Sequence, residues 1–148
     1  MHVENAPKRL RSLPTWLLGQ VSMEGRRIVG EVLAEKGWSR GQYASLASLD
    51  EFGPLSQTTL SDRSGLDPSD VVRWIDQLAE DGLVERTQDP DDRRRNLVSI
   101  TGAGRAELEA FDVRLASAQD EFLRALSAAE RRELMLLLGR VLGLEPGS

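Results

Sequence analysis

Ser64-Gly65-Leu66-Asp67 is the link that most restricts this fold. It joins two helical runs, Ser56 to Ser64 and Pro68 to Asp81, and so short a connection leaves room only for a turn, so the two helices cross at a steep angle, as in a helix-turn-helix. The second run has a firm start. Asp67 is an acidic N-cap, Pro68 takes the first helical position, and Asp70 at the third complements the helix dipole. Val71, Ile75 and Leu78 make one apolar stripe, with Ser69, Arg73, Asp76, Gln77 and Glu80 opposite. Trp74 lies at the border, where a tryptophan packs on a core edge more often than it stacks on a base.

The chain's single strand-like interval follows at once. Leu83-Val-Glu-Arg-Thr-Gln88 and Asn96-Leu-Val-Ser-Ile100 are short, rich in strand formers and separated by Asp89-Pro-Asp-Asp-Arg-Arg-Arg95, which reads as a β-hairpin carrying three arginines on its loop. Beside a helix of groove-fitting length, such a finger is the equipment of a DNA reader.

Helices flank this unit on both sides. Upstream, one runs from Pro14 or Thr15 to Lys36 with Leu17, Val21, Ile28 and Val32 on one face and Gly37 as its stop. Ser39 then caps a helix bearing Tyr43, Leu46, Ala47 and Leu49, ended by Gly53-Pro54. Downstream, Thr101-Gly-Ala-Gly104 opens a long helix with Leu108, Phe111, Leu115, Ala118, Phe122 and Leu126 on one face, and some twenty residues span roughly 30 Å. Ser127-Ala-Ala-Glu130 is a capping box for a last helix with Leu134, Leu137, Leu138, Val141 and Leu142. These terminal stripes exceed what a core of roughly eighty residues can cover. They imply a symmetric dimer of interlocked ends, with Leu17, Val21, Phe122, Leu126, Leu134, Leu138 and Val141 at the interface; the alternative is a monomer whose helices fold back.

Composition removes several functions. A chain of 148 residues with 40% hydrophobic content fits one domain, and its lack of a long apolar run or signal-like N-terminus implies a soluble, cytoplasmic protein with no membrane partner. There are no cysteines, and the only histidine is His2, so thiolate chemistry, zinc fingers and histidine triads lack their parts; no metal and no cofactor are expected. The glycine turn at Thr101-Gly-Ala-Gly104-Arg105 lacks a full phosphate-loop pattern and follows a hairpin strand, so an enzyme is not the reading. The formal charge of −5 has the wrong sign for a polyanion partner, and from Ser56 to Thr101 six arginines face ten carboxylates. DNA binding then depends on where the arginines point and is strongly salt-sensitive. The acidic balance favours the alternative of a winged-helix module that binds another protein and no DNA.

The order of elements, together with Gly53-Pro54-Leu55-Ser56-Gln57 before Leu60, Leu78-Ala-Glu-Asp-Gly-Leu-Val-Glu-Arg86, and the wing stretch Asp89 to Arg95 with Leu97-Val-Ser-Ile-Thr101 and Gly104, resembles the MarR family of bacterial transcriptional regulators over nearly the whole chain. The family's wing signature, an aspartate two residues before an arginine, falls on Asp92 and Arg94. The resemblance implies a mainly α fold with a small β-hairpin wing. A winged helix-turn-helix core over 38–101 lies between dimerisation helices over 13–36 and 102–144, in a single domain covering 1–148. It also implies a homodimeric, sequence-specific regulator, expected to be a repressor, on a pseudo-palindromic operator in double-stranded DNA. A small aromatic or phenolic effector is expected between the dimer helices and the wing unit; Trp16, Trp38 and Tyr43 are its candidates, though aromatics there are more often core residues.

The resemblance, read with side-chain chemistry, implies the following DNA contacts. Arg94 enters a minor groove with its guanidinium held beforehand by Asp92, while Arg93 and Arg95 meet phosphates or water. Arg86 either braces the hairpin or reaches the DNA backbone. At the start of the second helix, Ser69 contacts a phosphate or base beside Asp70, Arg73 takes a guanine and Gln77 an adenine. Ser56, Gln57 and Thr58, at a helix N-terminus with free amides, clamp phosphates.

Overall fold

Side-chain caps mark where most helices of this protein begin. The computed structural model describes residues 3–145, so His2 lies outside the described residues. After a 3-10 turn (Val3–Asn5) the order is α1 (Lys8–Arg11), α2 (Pro14–Ala34), α3 (Arg40–Phe52), α4 (Gln57–Ser64), α5 (Pro68–Glu80), β1 (Val84–Gln88), β2 (Asn96–Ile100), α6 (Gly102–Phe122) and α7 (Ala128–Val141). Ser39 caps α3 in a reciprocal box with Gln42, Ser56 caps α4, Asp67 caps α5, Thr101 caps α6, and Ser127 shares a box with Glu130 at α7. Each cap satisfies amides that the first helical turn leaves without partners, typically worth about 1 kcal/mol. Gly65 and Gly82, both with φ near 70°, end α4 and α5 in the left-handed region that a side chain would strain.

The sheet is an antiparallel hairpin in the register Val84↔Ile100 to Gln88↔Asn96. Leu55, in the α3–α4 link, adds a bridge to Val98 through reciprocal backbone bonds of 3.0 and 2.7 Å. Below the hairpin, Leu46, Leu49, Leu60, Val71, Ile75, Leu78 and Val98 are fully shielded, with Leu55, Leu83, Val84, Ile100 and Leu108 completing the cluster. Burying each such side chain is worth about 1.5–3 kcal/mol. The start of α6 comes so close to the hairpin base that a Cβ on Gly104 would lie 2.1 Å from the carbonyl oxygen of Leu83. Further along α6, buried Phe111 stacks on Trp38 with ring centroids 4.5 Å apart.

The terminal helices are different. No residue of α7 is buried, and in α2 only Leu33 is. Leu17, Val21 and Val141 are 42%, 50% and 75% exposed, while Phe122, Leu126, Leu134 and Leu138 are half-buried. Two expected boundaries move. α2 stops at Ala34 rather than Lys36, and α6 stops at Phe122, which leaves Leu126 in the following turn instead of on the helical face. Arg131 of α7 accounts for the second change: its Nε donates to the carbonyls of Leu123 and Leu126, and its Nη1 pairs with Asp120 at 2.7 Å, fastening the α6–α7 turn. Among the described residues no helix is long and apolar enough to cross a membrane.

Candidate nucleic-acid interface

The wing loop is built by hydrogen bonds to its own backbone. The Asp89 amide donates to the Arg95 carbonyl (2.8 Å), Asp91 N to Asp89 Oδ1 (2.9 Å), Arg95 N to the Asp92 carbonyl (3.0 Å) and Gln88 Nε2 to the Arg93 carbonyl (2.8 Å). Asp92 departs from expectation. Its Oδ1 accepts from the Arg94 backbone amide at 3.0 Å and does not hold the guanidinium. A short carboxylate reaches the amide two residues on without bending a long side chain back, the ordinary Asx-turn geometry. Asp92 thus shapes the loop, and the side chains of Arg93, Arg94 and Arg95 project from it, exposed and in no ion pair among the described residues.

In α5, the Asp67 carboxylate accepts from both the hydroxyl and the amide of Ser69, and these bonds, the hydroxyl foremost, hold it below the usual aspartate range. The Ser69 hydroxyl therefore has its proton committed to Asp67 and cannot donate it to a phosphate; only its lone pairs remain for a base donor. Arg73 pairs with Asp70 at 2.8 Å and sits 5.7 Å from the Trp74 ring. Both partners are well exposed, and an exposed pair of this kind is worth no more than about 1 kcal/mol, so the guanidinium can be exchanged to another acceptor. Asp70 thereby positions Arg73. Gln77 is exposed, but its Oε1 accepts from Gln42 Nε2 at 2.7 Å, which ties half of its amide to α3. Arg86 resolves toward bracing: it pairs with Asp76 and clamps β1 to α5.

At α4 the expected phosphate clamp is narrower. Ser56 is buried, its hydroxyl accepting from Thr59 N and donating to Thr59 Oγ1, so it has no proton left for a phosphate. Exposed Thr58 and half-buried Gln57 keep first-turn amides without an acceptor among the described residues. Arg63, which the sequence reading passed over, stacks on Phe52 at 4.3 Å. Its only local signal is a cation in the last turn of a helix.

A cleft of about 990 Å³ opens where α3 and α5 meet α2 and α6, lined among others by Leu33, Arg40, Gly41, Trp74 and Leu115. Trp38 and Tyr43 come together on its wall, whereas Trp16, near the start of α2, is not part of it. The reason is chain geometry: Trp16 lies more than three helical turns before Val29, the first α2 residue on the cleft wall, which Gly30 and Leu33 continue. Tyr43 donates its hydroxyl to Asp112 Oδ1 at 2.7 Å, and burial followed by that contact pushes its phenol up to about 12, so it stays neutral. Arg40 was also unforeseen. It is exposed and in no ion pair among the described residues, the one cation on this lining.

Comparison with known proteins adds the following. Residues 38–95 match the model of the MarR family. The chain is 32% identical over 102 residues, 69% of its own length and 71% of the relative's, to an uncharacterised HTH-type transcriptional regulator, YxaD, of Bacillus subtilis. It is similar to the PcaV transcriptional regulator from Streptomyces coelicolor, solved in complex with its natural ligand, at 30% identity and a TM-score of 0.73, covering 93% of this chain and 97% of that one. A mutant MarR from E. coli, complexed with operator DNA, shares 26% identity at a TM-score of 0.74, covering 93% of this chain and 99% of that one.

Proposed function

The chain belongs to the MarR family of transcriptional regulators, and from that premise we propose that it acts as a homodimeric repressor on a pseudo-palindromic operator and is released by a small aromatic or phenolic ligand. One observation carries the DNA reading: three exposed arginines, free of ion pairs among the described residues, stand on a hairpin loop whose backbone is tied down. A groove-bound arginine then loses little conformational entropy beyond its own side chain. Arg94 takes the narrow minor groove, Arg93 and Arg95 the flanking phosphates, and Arg73 with the free half of Gln77 the major-groove edges. The amides of Gln57 and Thr58 receive a phosphate.

Half of the region's ten carboxylates are engaged by local partners, and two of these are countered by cations. Asp67, Asp89 and Asp92 accept local hydrogen bonds, and Asp70 and Asp76 are paired with arginines. Dimerisation through α1, α2, α6 and α7 sets two α5 helices about one DNA turn, some 34–36 Å, apart. The operator complex of the E. coli relative supports this arrangement, and the ligand complex of PcaV supports an effector. In this chain the ring of such a ligand sits among Trp38, Tyr43 and Trp74, with an anionic group at Arg40.

Footprinting on DNA flanking the protein's own coding region, followed by titration of the protected duplex at rising salt, tests the reading. The expected result is a symmetric footprint and a steep loss of affinity with salt, because counterion release requires phosphate contacts. Absence of duplex binding at low salt favours the protein-partner module that the acidic composition suggests.

A further inference from the structure

We propose that Trp74 is the residue through which an occupant of the cleft moves the recognition helix α5; this rests on the reading of the cleft as the effector site. α5 is seated on the first turn of α3 at two neighbouring points. At one, the Trp74 indole lies against Gly41 so closely that a Cβ on residue 41 would come within 2.3–2.4 Å of three ring atoms. At the other, Gln42 Nε2 donates to Gln77 Oε1 at 2.7 Å. Trp74 and Gly41 both line the cleft, so the seam between the two helices is itself part of the wall. A molecule entering there touches the indole on one helix and its seat on the other.

The consequence for DNA follows from position on α5. Arg73 precedes Trp74, and its guanidinium lies 5.7 Å from the indole ring. Trp74 is a large, half-buried lever at the border of the helix face that carries the base-reading Arg73 and Gln77. A ligand that binds better with the indole displaced shifts the helix away from its DNA-competent seat, and operator binding excludes that ligand by the same factor.

The whole chain is titrated onto its operator duplex with and without benzoate, a probe whose ring matches the aromatic wall and whose carboxylate matches Arg40. Benzoate is expected to weaken wild-type binding about tenfold, and Trp74→Leu to reduce that ratio below about twofold whatever its own affinity, since a coupling of this size is typical between linked sites. Gly41→Ala, whose methyl group displaces the indole as a ligand would, is expected to lose about tenfold in operator affinity without benzoate, and Trp74→Leu in the same chain to recover it. An unchanged benzoate response in Trp74→Leu, no response in the wild type, or full affinity in Gly41→Ala overturns the proposal. If Gly41→Ala does not fold by circular dichroism, the benzoate ratio in Trp74→Leu decides alone. Failure of the regulator reading itself looks different: the wild type then binds no duplex at low salt.

Discussion

Between Arg40 and Phe111, the winged core shields its apolar side chains within one chain: Leu46, Leu60, Val71, Ile75 and Val98 are fully buried. The terminal arms do the reverse. α7 carries Leu134, Leu137, Leu138 and Val141 at helical spacing yet buries none, and the first half of α2 leaves Leu17, Leu18 and Val21 open. The core closes because hairpin, α3, α4 and α5 surround a common centre, whereas α2, α6 and α7 are long rods with no third layer of the same chain over their outer faces. The core is thus closed within one chain, while the arms keep apolar faces open.

The largest expected effect tests the core side of this contrast. Ile75→Ala should lower unfolding free energy by about 2–5 kcal/mol in denaturant titration, whereas Val141→Ala should stay within about 0.5 kcal/mol when measured at protein concentrations low enough to keep the chain monomeric. Equal costs break the contrast.

Next, Val21→Asp combined with Val141→Asp should weaken dimerisation at least about a hundredfold by sedimentation equilibrium, because an unpaired charge resists burial at an interface. The helical signal of the core should persist. A double variant that still dimerises like the wild type shows that the arms pair through another face.

Within the wing, Arg94→Ala should cost about 1–3 kcal/mol of operator binding and reduce the salt slope by about 1, with folding unchanged. Asp92→Asn sharpens the point. Its amide oxygen can still accept from the Arg94 backbone, so affinity should stay within about 0.5 kcal/mol of wild type. A loss as large as that of Arg94→Ala would mean that the carboxylate acts on the guanidinium in the complex.

The smallest effect concerns the α5 cap. The folded Asp67 pKa lies below its ordinary value of 3.8, so its contribution to stability is present above that value and is lost as pH falls through it toward the folded pKa. Asp67→Asn keeps a cap acceptor and should flatten this acid limb in melting curves taken from about pH 4 downward. An identical acid limb in the variant would remove the carboxylate's role.

Helix starts and turns were readable from residue order because they depend on partners two to four positions away, and the hairpin strands because their residue types and the turn between them are local signals. Ser39 with Gln42, Asp67 with Ser69, and Ser127 with Glu130 are contacts of that range. The apolar faces were equally readable, being set by helical period. The candidate site was legible in position and less so in role. Ser56 and Ser69 have the right residue type for phosphate contacts, yet their hydroxyl protons are taken by Thr59 and Asp67. Trp16 has the right type for the cleft but lies at the wrong end of α2.

By itself, then, the sequence determined the winged helix-turn-helix, its wing arginines and the surplus of apolar surface in the arms, since local hydrogen bonds and periodic hydrophobicity suffice for these. Only the tertiary structure decided that Arg86 clamps Asp76, that Gln77 is shared with Gln42, and that Trp74 rests on Gly41 at the edge of a cleft. Those pairings span 10 to 35 residues, and long side chains choose among many acceptors until packing brings one within reach.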